Sequence, residues 1–277
     1  MTAALHDRRF TVGLTLLAAV VALALAAPLV TGGDPNVPGD IVATRFLHPF
    51  SRDVNGILHL LGTDRFGRDV WTRLVYGARI SLTVGFLSVL LSVVVGMAIG
   101  GLSGWWRGWP GALLLGFTDF ALALPRVVLL LLLAALWQPS ALLVVLLLGA
   151  TGWMPIARLV HGEVRALAVR PFAEGARSLG LRPLRVLWRH ILPNALTPVI
   201  VAAALGVANA ILLEAGLSYL GLGVQPPTPS WGNMITSGRD TLVNAPWVAT
   251  APGVMLVIVV VGCTLVGDAL RDALGRR

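Results

Sequence analysis

Six stretches of about 20 mostly apolar residues dominate this chain, each long enough to cross a bilayer core as a helix rising about 1.5 Å per residue. They run approximately from Phe10 to Val30, Ile80 to Leu102, Ala112 to Trp137, Ser140 to Ala157, Ala195 to Leu213 and Trp247 to Val266, the fourth being short. In lipid every backbone N–H and C=O must pair within its own segment, so these runs predict an all-α polytopic membrane protein with six transmembrane helices. Of the 277 residues 56% are hydrophobic and 12% charged, against roughly 25% charged in a soluble domain.

The net charge of +8 comes from 21 basic residues, all arginine, which sit in the gaps between apolar runs. That placement reads as membrane orientation, not as a nucleic-acid face. A cytoplasmic amino terminus puts Arg8, Arg9, Arg107, the arginines from 158 to 189, Arg271, Arg276 and Arg277 inside. Thirteen arginines are then inside, seven outside and Arg126 within a span, so the positive-inside rule places both termini in the cytoplasm. The first run also resembles a cleaved signal peptide, with Arg8-Arg9 before it and Ala24-Leu25-Ala26 near its end. Its continuation past those small residues to Val30 favours a retained helix.

The lack of lysine excludes a GxxxxGK[ST] phosphate loop, so this chain does not bind ATP in that way. A single cysteine, Cys263, excludes an internal disulfide, a CxxC pair and a cysteine-based zinc site. The histidines at 6, 48, 59, 161 and 190 have neither HxxxH nor HExxH spacing, and no metal site is expected in this chain.

The hydrophilic insertions divide the sequence into a cytoplasmic amino terminus (1–9), a first span (10–30), an external loop (31–79) and a transmembrane domain (80–277). In the external loop Val70, Trp71, Leu74, Val75 and Ala78 fall at helical spacing, with Arg68, Thr72 and Arg79 elsewhere on the wheel. This predicts an amphipathic helix lying in the interface; the alternative is a plain tether into the second span. Gln138 and Pro139 leave room only for a tight hairpin between the third and fourth spans. Beyond the fifth, Pro226, Pro227 and Pro229 break the chain, and Ser230 is a fair N-cap for a short helix from Trp231 to Ser237 at the outer mouth.

The inner loop, 158–194, contains Glu174-Gly175-Ala176, then Gly180, Pro183 and finally His190, Leu192 and Pro193. Gly180 can take a positive φ and end a helix, and Pro183 suits the first turn of the next, so the loop reads as two short helices with a bend. In the second, Leu184, Leu187, Trp188 and Ile191 make one face and Arg182, Arg185 and Arg189 another.

Glu174, Ala176, Gly180, Leu192 and Pro193 match in register the coupling-loop signature of ABC importer permeases, which this segment resembles. Gly175 stands where that pattern has alanine and His190 where it has isoleucine. Leu61-Gly62-Thr63-Asp64, Gly67-Arg68-Asp69, Tyr76-Gly77-Ala78-Arg79, Arg189 to Asn194, Glu214 to Gly223, Pro226 to Gly232 and Gly267 to Asp272 resemble the peptide/nickel branch. Together they span nearly the whole chain.

The resemblance implies a six-helix, type I importer permease in the bacterial inner membrane that is not itself an enzyme. It implies as partners a second, similar permease, two cytoplasmic ATPase subunits that bind ATP and magnesium, and an external substrate-binding protein. The loop from Glu174 to Pro193 would dock on an ATPase and transmit its closure. The cargo would be peptide, or alternatively nickel or a metal chelate.

Charged residues inside spans need their own account. Asp119 and Arg126 lie seven apart on one face of the third span, close enough for a bridge by water or a neighbouring helix. Arg126 either makes a buried polar contact with Asp119 or a partner helix, or lines the pathway and meets a substrate carboxylate. Pro125 just before it should bend the helix. Glu214, near the outer end of the fifth span, is structural or part of a gate. An ATP-independent carrier or channel is the competing class, favoured by these charges and disfavoured by the coupling segment. A membrane-embedded hydrolase is disfavoured, since the sequence shows no GxSxG elbow, no evident serine and histidine in neighbouring spans and no zinc motif.

Overall fold

In the computed structural model residues 7–275 are described, so most of the 1–9 segment, with His6, and Arg276 and Arg277 lie outside the described residues. The described chain is a helical bundle built from α1 (Arg8–Leu25), α2 (Val70–Trp105), α3 (Trp109–Ala123), α4 (Arg126–Ala134), α5 (Ala141–Ala168), α6 (Pro171–Ser178), α7 (Leu192–Tyr219), α8 (Trp231–Arg239) and α9 (Trp247–Gly275). A two-stranded antiparallel ribbon, β1 (Ser51–Arg52) with β2 (Leu58–His59), lies in the segment between α1 and α2. Five helical stretches are long and apolar enough to cross a membrane, and the bent pair α3 and α4 makes a sixth if counted as one span.

Four expectations change. Residues 70–79 form no separate interfacial helix: they are the first turns of the 36-residue α2. Their apolar positions Val70, Leu74, Val75 and Ala78 are buried, and Val70, Leu74 and Ala78 share a cluster with Trp231 and Met234. Apolar spacing alone does not distinguish a face turned to protein from one turned to lipid. The third span is broken, with 81° between α3 and α4. Pro125 forces the residue before it out of the helical region, and Leu124 is extended at φ −75°, ψ 132°. The fourth span is 28 residues long and runs on through Arg158 and Arg165 to Ala168, accommodating Pro155. The second short helix of the inner loop begins at Pro183 but continues without a break into the fifth span, giving one helical stretch from Pro183 to Tyr219.

Close packing is made by small residues. Gly96, Gly100 and Gly104 repeat every fourth position along α2, and a Cβ on them would fall 2.8 Å from Ile156 Cβ, against Ala157 O and 2.7 Å from His161 O. The two helices thus run parallel with their backbones nearly touching, the small-xxx-small mode of helix association in lipid. α7 crosses α2 in the opposite sense, with Gly85 against Ile211 at one end and Gly101 against Leu192 at the other. α1 runs antiparallel to α9, where Gly13 approaches Gly262 O and Leu265. The bundle therefore has two distinct ends, a head end carrying residues 31–69 and α8, and a loop end carrying residues 169–191.

Candidate functional site

At the loop end, Pro171 starts α6 and Ala173 and Ala176, three residues apart, are buried in a cluster with Val160, Val164, Leu187 and Ile191. Glu174 and Gly175 lie on the opposite, exposed side. The helix ends in a Schellman motif: Leu181 N–H donates to Ala176 O, Gly180 N–H donates to Arg177 O, and Gly180 has φ +74°. Pro183 opens the next turn, which widens into a π turn over Leu187–Ile191 before α7 begins at Leu192. Pro193 has no N–H to give Arg189 O, and the wide turn lies at that gap. Asn194 Nδ2 donates to His190 O at 2.6 Å.

The face expected to pack does so only in part. Val186, Leu187, Ile191 and Leu192 are buried, whereas Leu184 and Trp188 are 50% and 52% exposed. The extra residue in the π turn rotates the preceding turn relative to α7, so a face projected at 3.6 residues per turn loses register. With Leu179, 83% exposed, and Phe172, these side chains put apolar surface among the exposed arginines 182, 185 and 189.

In the centre of the bundle a cavity of about 360 Å³ is bounded by α2, α4, α5 and α7. Ser88, Ser92, Arg126 and Asn209 supply its polar lining; Val89, Leu148, Ile156 and Leu205 are among its apolar walls. Arg126 is the first residue of α4, directly after the break. Its Nε donates to Thr151 Oγ1 and its Nη2 to Leu148 O, both at 3.3 Å. Gly152 leaves room for the guanidinium, since a Cβ there would lie 3.2 Å from Nη2. No carboxylate among the described residues pairs with Arg126.

Asp119 and Arg126 are therefore not partners. The break turns α4 away from α3, and Asp119 Oδ1 instead faces Arg158 Nη1 on α5 at 3.2 Å. That contact lacks hydrogen-bond alignment, since Oδ1 makes no hydrogen bond. Glu214 is fully buried at the head end. Ser218 Oγ donates to its Oε1 at 2.8 Å and Ser81 Oγ to its Oε2 at 3.3 Å, while Ser81 Oγ accepts from Trp231 N–H. Glu214 thus ties α2, α7 and the start of α8 together, which favours its structural reading.

A second head-end network joins the motif residues Thr63, Asp64, Arg68 and Asp69 to Arg73 and Trp247, which stand outside those motifs. Asp64 Oδ2 accepts from Arg68 Nε and lies 2.7 Å from its Nη2, with Arg73 Nε at 3.9 Å. Arg73 also donates to Pro35 O and Pro227 O, Trp247 Nε1 donates to Thr63 O, and Asp69 caps α2 through Thr72 N–H. Ser230 and Asn233 form a capping box on α8, and Trp231, fully buried, donates to Leu74 O at 3.1 Å. The glycines at 96, 100 and 104 were equally legible as a four-residue repeat; the Asp64 network carries no such periodic signal.

The family model for binding-protein-dependent transport system inner membrane components matches residues 80–277. The chain belongs to this family. The permease is 39% identical over 273 residues to a putative peptide transport system permease protein of Brucella abortus, covering 99% of this chain and 89% of that protein. It is 36% identical over 263 residues to a dipeptide transport system permease protein of Alkalihalophilus pseudofirmus (95% and 84% covered). It is 37% identical over 270 residues to a di/tripeptide transport system permease protein of Pseudomonas aeruginosa (97% and 88% covered). Among solved structures, an inward-facing form of the MetNI methionine ABC transporter superposes with a TM-score of 0.59 at 21% identity, covering 73% of the permease and 96% of that chain. At that identity the likeness concerns the fold, the type I ABC importer permease architecture. The permease is thus a multi-pass membrane subunit of an ABC importer.

Proposed function

We propose that the permease imports peptides, with its translocation path through the Arg126 cavity and its drive delivered by partner ATPases through residues 174–193. The observation that carries the cargo is the likeness, over nearly the full chain, to three proteins named as peptide permeases. The cavity, at about 360 Å³, falls within the usual range of roughly 300–1,000 Å³ for small-molecule sites. Arg126 offers the one unpaired cationic group in its lining, suited to the carboxylate terminus of a peptide.

The loop end faces the cytoplasm in this reading, as the arginine distribution favours, and the bacterial inner membrane is the site of action. Glu174 and the exposed apolar side chains around Gly180 and Pro183 contact the ATPase; buried Ala173 and Ala176 anchor the lever to the bundle. Closure of the ATPases, which carry ATP and magnesium, then rocks the helices as rigid bodies. A second permease completes the path, and an external binding protein delivers peptide to the head end. The close approach of α1 to α9 supports a retained first helix.

The test is dipeptide uptake into cells or vesicles carrying the complete transporter. Glu174→Lys is expected to abolish uptake while the permease still reaches the membrane. Arg126→Gln should preserve assembly and ATPase binding but lower uptake about tenfold or more, the scale of one lost charged hydrogen bond. Wild-type rate and affinity in Arg126→Gln would remove the pathway role, and wild-type uptake by Glu174→Lys would remove the coupling role.

A further inference from the structure

A second cavity, of about 420 Å³, opens at the loop end where α2 ends, α3 begins and α5 runs out. Arg107, Arg165 and Arg177 line it from three different segments, and none of the three forms an ion pair among the described residues. No carboxylate lines it. His161, nine-tenths buried, sits at its wall with Nδ1 held by Ser103 Oγ at 2.9 Å, which leaves the Nε2 edge for a ligand. Arg177 stacks over the Trp105 ring at 4.8 Å, so the cavity is closed from α6 by a cation–π contact. The first turn of the 15-residue α3 borders it too, but Pro110 there has no N–H and the carboxyl-terminal ends of α2 and α5 lie at the same wall, so its positive potential rests on the three arginines.

We propose that this cavity binds the phosphate headgroup of an anionic phospholipid in the leaflet at the loop end. Three guanidinium groups with no carboxylate partner among the described residues converge on one space, which is the chemistry of a phosphate site. Two observations assign the phosphate to a lipid and not to free phosphate. Trp106 and Trp109, both exposed beside the cavity, are the residue type that settles at headgroup level. Leu113, Phe117 and Phe120 leave an exposed apolar stripe along α3, which acyl chains would cover. A basic pocket between helix ends at a membrane surface is a general form of headgroup site. This inference does not depend on the cargo or on the coupling role.

The experiment measures lipid adducts by native mass spectrometry on the full-length permease purified in detergent, titrated with phosphatidylglycerol or with phosphatidylcholine of the same chains. Phosphatidylglycerol is expected to be retained and phosphatidylcholine not. Each single change, Arg107→Gln, Arg165→Gln or Arg177→Gln, should weaken phosphatidylglycerol binding about fivefold, the usual contribution of one basic residue near an anionic surface. A control removing three charges at the head end, Arg45→Gln with Arg52→Gln and Arg65→Gln, should bind as wild type although it takes away more charge than any one cavity variant. Millimolar inorganic phosphate should not displace the lipid. The assignment is overturned if the cavity variants bind as wild type, if the control loses as much, or if phosphatidylcholine binds equally. Displacement by inorganic phosphate alone would make the site one for free phosphate and overturn the lipid assignment. Since each variant is a single exposed position, circular dichroism reports whether it keeps wild-type helicity.

Discussion

The two ends of the permease differ in where their carboxylates lie, paired in the interior at the head end and on the surface at the loop end. At the head end Asp64 is closed on Arg68 and Arg73, Glu214 on Ser81 and Ser218, and Trp231 on Leu74, nearly all of them buried. At the loop end Arg177, Arg182, Arg185 and Arg189 form no ion pair among the described residues, and Leu179, Leu184 and Trp188 stand exposed. The head end also leaves Arg45, Arg52 and Arg65 exposed and His59 Nε2 without a hydrogen bond, so the contrast lies in its buried carboxylate networks, Asp64 and Glu214, which have no counterpart among the described residues of the loop end. The head end is tied together by buried polar contacts; in the proposed function the loop end is where the ATPase docks.

That contrast predicts where substitutions matter to the isolated subunit. Asp64→Ala leaves two buried guanidinium groups without their carboxylate and should destabilise the permease by about 3–5 kcal/mol, read as a lowered midpoint of thermal unfolding in detergent. Gly100→Val, in the shaft joining the ends, forces α2 and α5 apart and should cost about 1–3 kcal/mol in the same assay. Trp231→Phe keeps most of the buried ring but loses the bond to Leu74 O, an effect of about 1–2 kcal/mol. At the loop end the sign reverses: Gly175 is exposed within α6 with open space around a Cβ, so Gly175→Ala should stabilise the helix by about 0.5–1 kcal/mol. A loop end as sensitive as the head end would break the comparison.

Much of this fold was legible in the sequence because hydropathy and helix-breaking residues act locally. The apolar runs gave the spans, Ser230 gave the start of α8, and Gly180 and Pro183 gave the turn between α6 and the helix that follows. Pro125 announced a bend but not its 81° size, since a proline fixes the residue before it and leaves the path of the next helix to tertiary packing. The long α2 was hidden because Val70 to Ala78 show the same periodicity whether they meet lipid or Trp231. The register at Leu184 and Trp188 was hidden because a π turn has no reliable composition signal. Of the candidate pathway residues, Arg126 lies at a cavity, while Asp119 and Glu214 answer to other partners, Arg158 and the serines at 81 and 218. Seven-residue spacing put Asp119 and Arg126 on one face only as long as the helix between them stayed intact.

The central claim, that the loop end is left open for an ATPase, is tested most directly by co-purification. With tagged permease expressed beside its ATPases, the combined change Leu179→Asp, Leu184→Asp and Trp188→Asp alters one exposed and two half-exposed side chains, so the isolated subunit should lose no more than about 2 kcal/mol of stability, checked by thermal unfolding in detergent. The account predicts that the ATPase no longer co-purifies although the permease reaches the membrane at its normal level. ATPase recovered at the wild-type ratio from that variant would contradict it.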